Sequence, residues 1–393
     1  MKYLKELLSL VKRNIRDYGM YIALFVIMIT FTVLTDGLFL SSRNISNLLD
    51  SAGYIAVLAV GVMLVIVIRH IDLSIGFLAG FLGAVAAILM VNYGMPIYVV
   101  IPIILFLGIC AGSVTGFLVA KIGIPAFVAT LAGWLIYRGA ILLATEKTGT
   151  IIIDNETFNA IGNGYIPAIM EVAGLHFLSL ILGGVLGILF YIYSAITNRH
   201  KKIKYNFEVV SKPIFVVQLA FMSVVIGYIT WLLAGYNGFS WTVVIILAVV
   251  FIYHFITTKT VIGRHIYAVG SNPEAAHLTG ISVSKITFLV FGSMGGMLSA
   301  LSGILFTSRL QSATTTAGTL FELDAIAAAF VGGVSAHGGV GKVTGALIGA
   351  IVMATLTNGM NLMGVGIAPQ YMIRGGVLAL AVIFDVMTRR QRG

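Results

Sequence analysis

The sequence predicts an all-α polytopic membrane protein, and three properties of the 393-residue chain support this class. Hydrophobic residues make up 59% of the sequence and charged residues only 10%, and the mean hydropathy is +1.04. A soluble domain carries about 45–50% apolar and about 25% charged residues. The chain therefore has too few charges to cover a water-facing surface, and a bilayer must be part of its surroundings.

Apolar segments long enough to cross the bilayer recur along the chain. A crossing helix needs about 17–25 residues, and a helix satisfies every backbone polar group within the segment itself. The segments lie at approximately 20–39, 52–69, 73–91, 97–120, 125–145, 173–194, 214–234, 241–257, 286–306, 323–335, 344–363 and 371–388. Because 323–335 is short, it is either a tilted span or a half-helix. We therefore predict 10–12 transmembrane helices, with twelve as the best count.

The first of these segments follows a basic N-terminal stretch, as a signal peptide would. Thr35, Asp36 and Gly37 follow the apolar run, and no small-x-small cleavage site is present there. The run is therefore predicted to be an uncleaved first span.

Basic residues are concentrated at the ends of the predicted spans, which favours a membrane topology over nucleic-acid binding as the reason for the net charge of +10. With the N-terminus inside and twelve crossings, nineteen of the 24 lysines and arginines fall in interior loops and four in exterior loops. This bias is typical of cytoplasmic loops. It predicts cytoplasmic termini (1–19 and 389–393) around one transmembrane domain (20–388), with cytoplasmic loops 195–213 and 258–285 and an outer loop 146–172.

Sequence signatures of catalysis are weak. Cys110 is the single cysteine, which excludes an intramolecular disulfide and a cysteine-rich metal site. The stretch from Gly338 to Gly345 resembles a phosphate-binding loop, but Ala336 and Val343 stand where the nucleotide pattern requires glycine and a hydroxyl residue. No clustered nucleophile, base or metal ligands support a membrane-embedded enzyme. The sequence therefore predicts a non-enzymatic chain without a cofactor.

Ionisable residues within the predicted spans are functional candidates, because a charge at the bilayer centre costs about 2.5–3.5 kcal/mol on insertion scales. They are Asp72, Arg138, Glu322, Asp324, Arg374 and Asp385. Asp72, Glu322 and Asp324 lie near predicted helix starts, where a carboxylate also has a purely structural role. A charge relay of Asp72, Arg138 and Asp324 would suit an ion-coupled secondary transporter, which we keep as the alternative function.

Neutral polar residues provide further candidates for a translocation pathway. Amides, hydroxyls and aromatic rings are the groups that bind a sugar through hydrogen bonds and stacking. Together with the acids, they give the pathway candidates Asp72, Ser74, Asp324, Asn358, Asn361 and Tyr371. Each of them also fits an ordinary position in a loop or at a helix end.

Small residues and a short internal repeat suggest how the helices pack. Glycines recur at every fourth position, for example at Gly108, Gly112 and Gly116, which predicts close helix packing within the bundle or in a dimer. The segments at 71–73 and 323–325 each contain an aspartate near a helix start, on opposite sides of the predicted membrane. This short similarity between the two segments suggests an inverted repeat.

The most specific local pattern lies in the second cytoplasmic loop. Asn272 suits a helix N-cap, Pro273 the first helical position, Glu274 the first turn and Gly280 the C-terminal stop. These residues predict a helix of about two turns. Isolated helices shorter than ~12–15 residues are marginal in water, so this helix needs support from span ends or from a cytosolic partner.

The stretch from Gly263 to Ile281 resembles the cytoplasmic signature of permease subunits of bacterial ribose/xylose/galactose-type ABC importers. The resemblance extends over about 36–390 through the motifs Ile71-Asp72-Leu73-Ser74-Ile75-Gly76, Glu322-Leu323-Asp324-Ala325-Ile326-Ala327, Gly332-Gly333-Val334-Ser335, Gly338-Gly339-Val340-Gly341 and Asn358-Gly359-Met360. The apolar length between about 200 and 257 is closer to the xylose or multiple-monosaccharide permeases. Arg69 and His70 depart from the family pattern, which puts a specific role of Asp72 in doubt.

The resemblance implies a vitamin-B12-importer-like permease that works as two copies in the bacterial inner membrane. ATP and Mg would bind to a separate cytosolic ATPase, and an extracytoplasmic binding protein would deliver a monosaccharide such as xylose. The implied ATPase-coupling residues are Gly263, Arg264, Asn272, Pro273, Glu274, Ala275, Ala276, His277 and Gly280. Arg43, Arg309 and Arg374, expected to be exposed on the outer face, are candidates for docking the binding protein.

Overall fold

The structure, a computed structural model, describes residues 15–146, 148–168, 170–172, 174–207 and 209–390. Most of the predicted N-terminal segment 1–19 and of the tail 389–393 lies outside these residues. In the described part of the chain, nine helices are long and apolar enough to cross a membrane, and two more apolar helices are shorter. The protein is therefore a helical, multi-pass membrane protein.

Each predicted apolar segment coincides with a helix. The helices are α1 (Ile15–Leu34), α2 (Ser42–Val67), α3 (Ile75–Val91), α4 (Ile97–Ile122), α5 (Ala126–Thr145), α6 (Glu156–Asn163), α7 (Phe177–Lys204), α8 (Lys212–Ala234), α9 (Trp241–Lys259), α10 (Val261–Ser271), α11 (Pro273–Leu278), α12 (Val283–Leu310), α13 (Phe321–Val331), α14 (Val343–Leu362) and α15 (Ile367–Arg390).

Short strands close the loops at two places. The strand β1 (Thr150–Ile152) pairs antiparallel with β4 (Ser312–Thr314), so the predicted outer loop is tied to the segment that follows α12. The strands β2 (Glu171–Val172) and β3 (Leu175–His176) form a two-stranded hairpin just before α7. The described part of the predicted outer loop is therefore joined to the chain after α12 by backbone hydrogen bonds.

Helix α2 lies at the centre of the bundle. Nearly all of its residues from Ile45 to Val67 are buried, on every face of the helix. It packs against α9, α12, α13 and α14. A helix that is apolar all round needs neighbours on all sides, and this arrangement provides them.

The repeated glycines lie at close contacts within the bundle. Gly108 and Gly112 of α4 face the backbone of α12 at Gly296, and Gly349 of α14 faces the carbonyl of Ala328 in α13. Small residues let helix backbones approach closely where lipid removes the hydrophobic drive between helices. At these positions, the prediction of packing within one bundle is confirmed.

Two helices begin inside the bundle rather than at its ends. Both α3 and α13 follow non-helical segments, and their first turns contact each other where Gly76 meets Gly318 and Glu322. With 11 residues, α13 is about 16 Å long, which is too short for a hydrocarbon core of about 30 Å. Segment 323–335 is therefore a half-helix, and its start lies against the start of α3.

We expect Gly349→Ala to destabilise the protein, because a Cβ at this position overlaps the Ala328 carbonyl oxygen. Overpacking of this kind costs about 1–3 kcal/mol. The measurement is the melting temperature of the purified protein in nanodiscs.

The matched control is Gly376→Ala in α15, where an added Cβ meets nothing within 4 Å. It should leave the melting temperature unchanged or slightly higher, since alanine is the better helix former by roughly 0.5–1 kcal/mol. Equal melting temperatures for the two variants would contradict the packing argument.

Candidate functional site

The short helix α11 has the geometry that its sequence predicts. The Asn272 side chain accepts a hydrogen bond from the backbone N–H of Ala275 (3.1 Å), and Pro273 begins the helix. The helix ends after Leu278, and Gly280 has a left-handed backbone (φ 87°). The cap, the first turn and the terminator were thus all recognisable from local sequence.

Helix α11 projects its surface away from the rest of the chain. Glu274, Ala275 and His277 are exposed, whereas Ala276 is buried. The side chain of Leu278 is 86% exposed although it is apolar. The helix is therefore attached to the bundle along one edge and presents a mixed polar and apolar face.

The preceding helix, α10, anchors α11 to the bundle through Arg69. The guanidinium of Arg69 donates from Nε to the carbonyl of Gly270 (2.7 Å) and from Nη2 to the carbonyl of Ser271. A cation at the C-terminus of a helix is favoured by the helix dipole. The sequence identified Arg69 only as a departure from the family pattern and gave no signal for this contact.

The loop 335–341 holds the same end of α10. The N–H of Gly339 donates to the carbonyl of Val67 (2.8 Å), and the hydroxyl of Tyr267 donates to the carbonyl of Gly341 (2.6 Å). Burial raises the pKa of Tyr267, which keeps its hydroxyl protonated as a donor. Asp385 of α15 accepts hydrogen bonds from Ser335 and the N–H of Ala336. The glycine-rich motif is thus a structural loop rather than a phosphate site.

A cavity of about 730 Å³ opens beside α11. One wall is formed by residues between Val119 and Ala126, at and after the end of α4. The other wall is formed by residues between His277 and Thr287, and His70 also lines the cavity. The hydroxyl of Ser284 donates to the carbonyl of Ala120 (2.7 Å) and joins these two walls. This end of the bundle therefore combines a projecting helix with an adjacent recess.

A second group of polar residues lies within the bundle, around the ion pair of Asp324 and Arg374. Nη1 of Arg374 lies 2.8 Å from Oδ2 and 3.1 Å from Oδ1 of Asp324, and each side chain is 18% exposed. The guanidinium also lies over the ring of Tyr371, 5.0 Å from its centroid. Helices α13 and α15 are thus joined by charge and hydrogen bonds.

Two amides from α14 complete this group. Asn358 and Asn44 exchange side-chain hydrogen bonds of 2.9 and 3.0 Å, and Asn361 accepts from Gln370 (2.8 Å). Asp324, Arg374, Asn358 and Asn361 line a cavity of about 130 Å³ between α2, α13, α14 and α15. Four of the six pathway candidates, including Tyr371 at its edge, therefore come together.

Asp72 and Ser74 do not belong to this cavity. The Asp72 carboxylate accepts hydrogen bonds from the N–H (2.8 Å) and the hydroxyl (2.6 Å) of Ser74, at the start of α3. Ser74 faces Gly133 of α5. The arrangement is a local turn of Asp72 and Ser74 directly before α3.

The residues of the ion-coupled alternative are not joined into a relay among the residues that the structure describes. Arg138 lies over the ring of Phe77 (4.9 Å) and reaches the hydroxyl of Thr319 (3.4 Å). Asp324 pairs with Arg374 instead, and Glu322 accepts a hydrogen bond from Trp134 (3.0 Å).

Only one of the three arginines expected on the outer surface is exposed. Arg43 is exposed, but Arg309 and Arg374 are partly buried, which corrects that expectation. Arg309 donates to Asn163 (2.9 Å) and to Asn47 (3.3 Å) and so holds α6 against α2. Arg309 is held inside the protein by these hydrogen bonds, and its position in the sequence gives no sign of its partners.

Comparison with known proteins identifies the class of transporter. Residues 44–382 match the family described as branched-chain amino acid transport system / permease component. The chain belongs to this permease family. The prediction of a non-enzymatic transport subunit is therefore confirmed.

Similar proteins cover nearly the whole chain. The xylose transport system permease protein XylH of Haemophilus influenzae is 39% identical over 379 residues (96% of this chain and 98% of that protein). XylH of Escherichia coli K12 is 37% identical over 378 residues (96% and 93%). The ribose import permease protein RbsC of Haemophilus influenzae is 35% identical over 368 residues (93% and 91%). These relatives confirm the resemblance seen in the sequence, whereas no solved structure matches the chain.

We expect Arg69→Met to weaken the attachment of the segment joining α10 and α11 to the rest of the permease. The variant loses the charged donors to Gly270 and Ser271, and hydrogen bonds of that type contribute about 1.5–3 kcal/mol. Amide hydrogen exchange in residues 268–276 should become at least several-fold faster.

Arg264→Met on α10 is the control, because Arg264 is exposed. Its exchange rates should equal those of the unmodified protein. Unchanged exchange in Arg69→Met would show that Arg69 does not anchor this segment.

Proposed function

We propose that this permease moves a monosaccharide across the bacterial inner membrane as the membrane subunit of an ATP-driven importer. The observation that carries the proposal is α11, a capped helix with an exposed face beside an open recess. The names of the similar permeases support a pentose such as xylose as the substrate. In this proposal, a separate ATPase binds ATP and Mg, and an extracytoplasmic binding protein delivers the sugar.

The proposed topology has twelve membrane segments with both termini in the cytoplasm. In this proposal the half-helix α13 crosses together with the turns at 315–320, which follow β4 and pack against the first turns of α3. The bias of basic residues supports the orientation. A vitamin-B12-importer-like fold and assembly as two copies complete the proposal.

Transport is proposed to be driven through α11. Closure of the ATPase subunits moves α11 and α10, and Arg69 and the loop 335–341 pass this movement to α2 and α13. The coupling surface comprises Gly263, Arg264, Asn272, Pro273, Glu274, Ala275, Ala276, His277 and Gly280. Within it, Glu274 and His277 are exposed for contact, whereas Gly263 is buried against α9 and fixes α10.

The proposed pathway passes the ion pair of Asp324 and Arg374. Its two charged side chains are each 18% exposed inside an otherwise apolar bundle, and intramembrane charges of this kind usually face a cavity or another protein group. Asp72 and Ser74 stay pathway candidates, although they lie outside the cavity around Asp324 and Arg374. Arg43 is the exposed candidate for docking of the binding protein, and docking through Arg309 or Arg374 would require loss of internal hydrogen bonds.

Reconstitution tests the proposed function. Proteoliposomes that contain the permease and its ATPase should take up D-xylose when the binding protein and ATP are added on their respective sides. The permease alone, energised by a proton gradient, should show no uptake. Concentrative uptake by the permease alone would contradict the proposal and support the ion-coupled alternative.

We expect Glu274→Arg and Pro273→Gly to reduce ATP-dependent uptake at least tenfold without loss of membrane insertion. The first reverses the charge at the helix start, and the second removes the residue that pre-forms the first turn. Uptake is measured in proteoliposomes with equal amounts of permease.

Lys202→Glu provides a control, since Lys202 is an exposed residue at the end of α7. Uptake by this variant should match that of the unmodified permease. Full activity of both α11 variants would exclude α11 as the coupling element.

A further inference from the structure

The cavity of about 130 Å³ inside the bundle has the size of a small guest. One water needs about 10–15 Å³ of such space, so the cavity holds about ten times that volume. Clefts for drug-sized ligands are larger, roughly 300–1,000 Å³. The space is therefore well below that of a cleft for drug-sized ligands, and a single monosaccharide is the guest that we consider.

The electrostatics of the cavity favour a neutral ligand. Among the described residues that line it, Asp324 and Arg374 are the charged ones, and they form an ion pair. Their charges cancel, so a charged guest would be buried without a counter-charge, which is costly. A neutral polyol avoids this cost.

Hydrogen-bonding side chains line the same cavity. Arg374 and Asp324 are each 18% exposed, and Ser51 and Asn361 are further polar residues of the lining. A sugar hydroxyl both donates and accepts, so it satisfies a guanidinium and a carboxylate together, and such charge-assisted bonds are the stronger ones.

Apolar groups form the rest of the wall. Leu48, Ile55 and Met353 line the cavity together with the ring of Tyr54, and the ring of Tyr371 lies against Arg374 at its exposed edge. A sugar presents C–H groups on its faces and hydroxyls at its rim. A mostly apolar wall with a few fixed polar groups is the usual composition of a small-molecule site.

We propose that the permease itself contains a low-affinity monosaccharide site in this cavity, with Asp324 and Arg374 hydrogen-bonded to the sugar hydroxyls. This proposal rests on the proposed function and adds that the permease recognises its substrate. The site binds one neutral monosaccharide between delivery by the binding protein and release on the other side. Binding at this site selects the substrate a second time, within the membrane.

The test is the melting temperature of the permease–ATPase complex in nanodiscs, without binding protein, as D-xylose is raised through the millimolar range. Ligand binding to the folded state raises stability with concentration. Because sugars also stabilise proteins by exclusion from their surface, xylobiose and D-xylonate are measured at the same mass concentration. D-Xylose should give a saturable rise of several degrees beyond the rise with xylobiose or D-xylonate.

Variants separate binding from structural support. Asp324→Asn, and the double variant Asp324→Asn/Arg374→Gln, which preserves a neutral hydrogen-bonded pair, should weaken the response specific to D-xylose at least several-fold, because neutral hydrogen bonds replace charge-assisted ones. Glu322→Gln, two residues away and outside the cavity, keeps the acceptor for Trp134 and should retain the response. Asp324→Asn alone leaves the Arg374 charge without its partner. If that prevents folding, the double variant is measured instead.

The outcomes distinguish this proposal from the proposed function. Uptake of D-xylose by the complete importer, together with no saturable rise in the permease–ATPase complex, overturns the internal site alone. A saturable rise with the same half-saturating D-xylose concentration in the folded double variant also overturns it. Absence of ATP-dependent D-xylose uptake by the unmodified importer contradicts the proposed function itself.

Discussion

The contact between the first turns of α3 and α13 is the constraint on which the bundle depends. Both helices begin inside the protein, where the free N–H groups of a helix start need partners from the protein itself. Gly76 and Gly80 permit the approach of the segment from Ala317 to Glu322. Asp72 and Glu322 lie at these starts, where carboxylates are favoured. Polar backbone is thus enclosed by protein rather than exposed to lipid.

This enclosure links the interior of the bundle to the end that carries α11. Helix α13 leaves the contact with α3 and ends at Gly332, and the chain then forms the loop 335–341. That loop bonds to Val67 at the end of α2 and to Tyr267 of α10. Because Asp324 lies on α13, the ion pair and the exposed helix are connected through one short, hydrogen-bonded segment. A movement of α11 therefore has a direct structural route to the cavity.

Local sequence was sufficient wherever the physical cause was local. The positions of the apolar helices followed from their length and hydropathy, because each segment must by itself be long and apolar enough to cross the bilayer. The cap at Asn272, the proline at the first turn and the stop at Gly280 act within a few residues of one another. The family followed from several motifs in order along the chain.

Tertiary structure alone decided which polar residues meet. Asp324 and Arg374 are 50 residues apart, and Arg69 and Gly270 are 201 apart, so no local pattern connects them. Arg309 was expected to be exposed because it lies near a predicted outer loop, yet Asn163 and Asn47 use its donors inside the protein. In a bilayer, a polar side chain takes whichever partner the packed helices bring within reach. That partner depends on the arrangement of all the helices, whereas the helices themselves depend on their own residues and on the lipid.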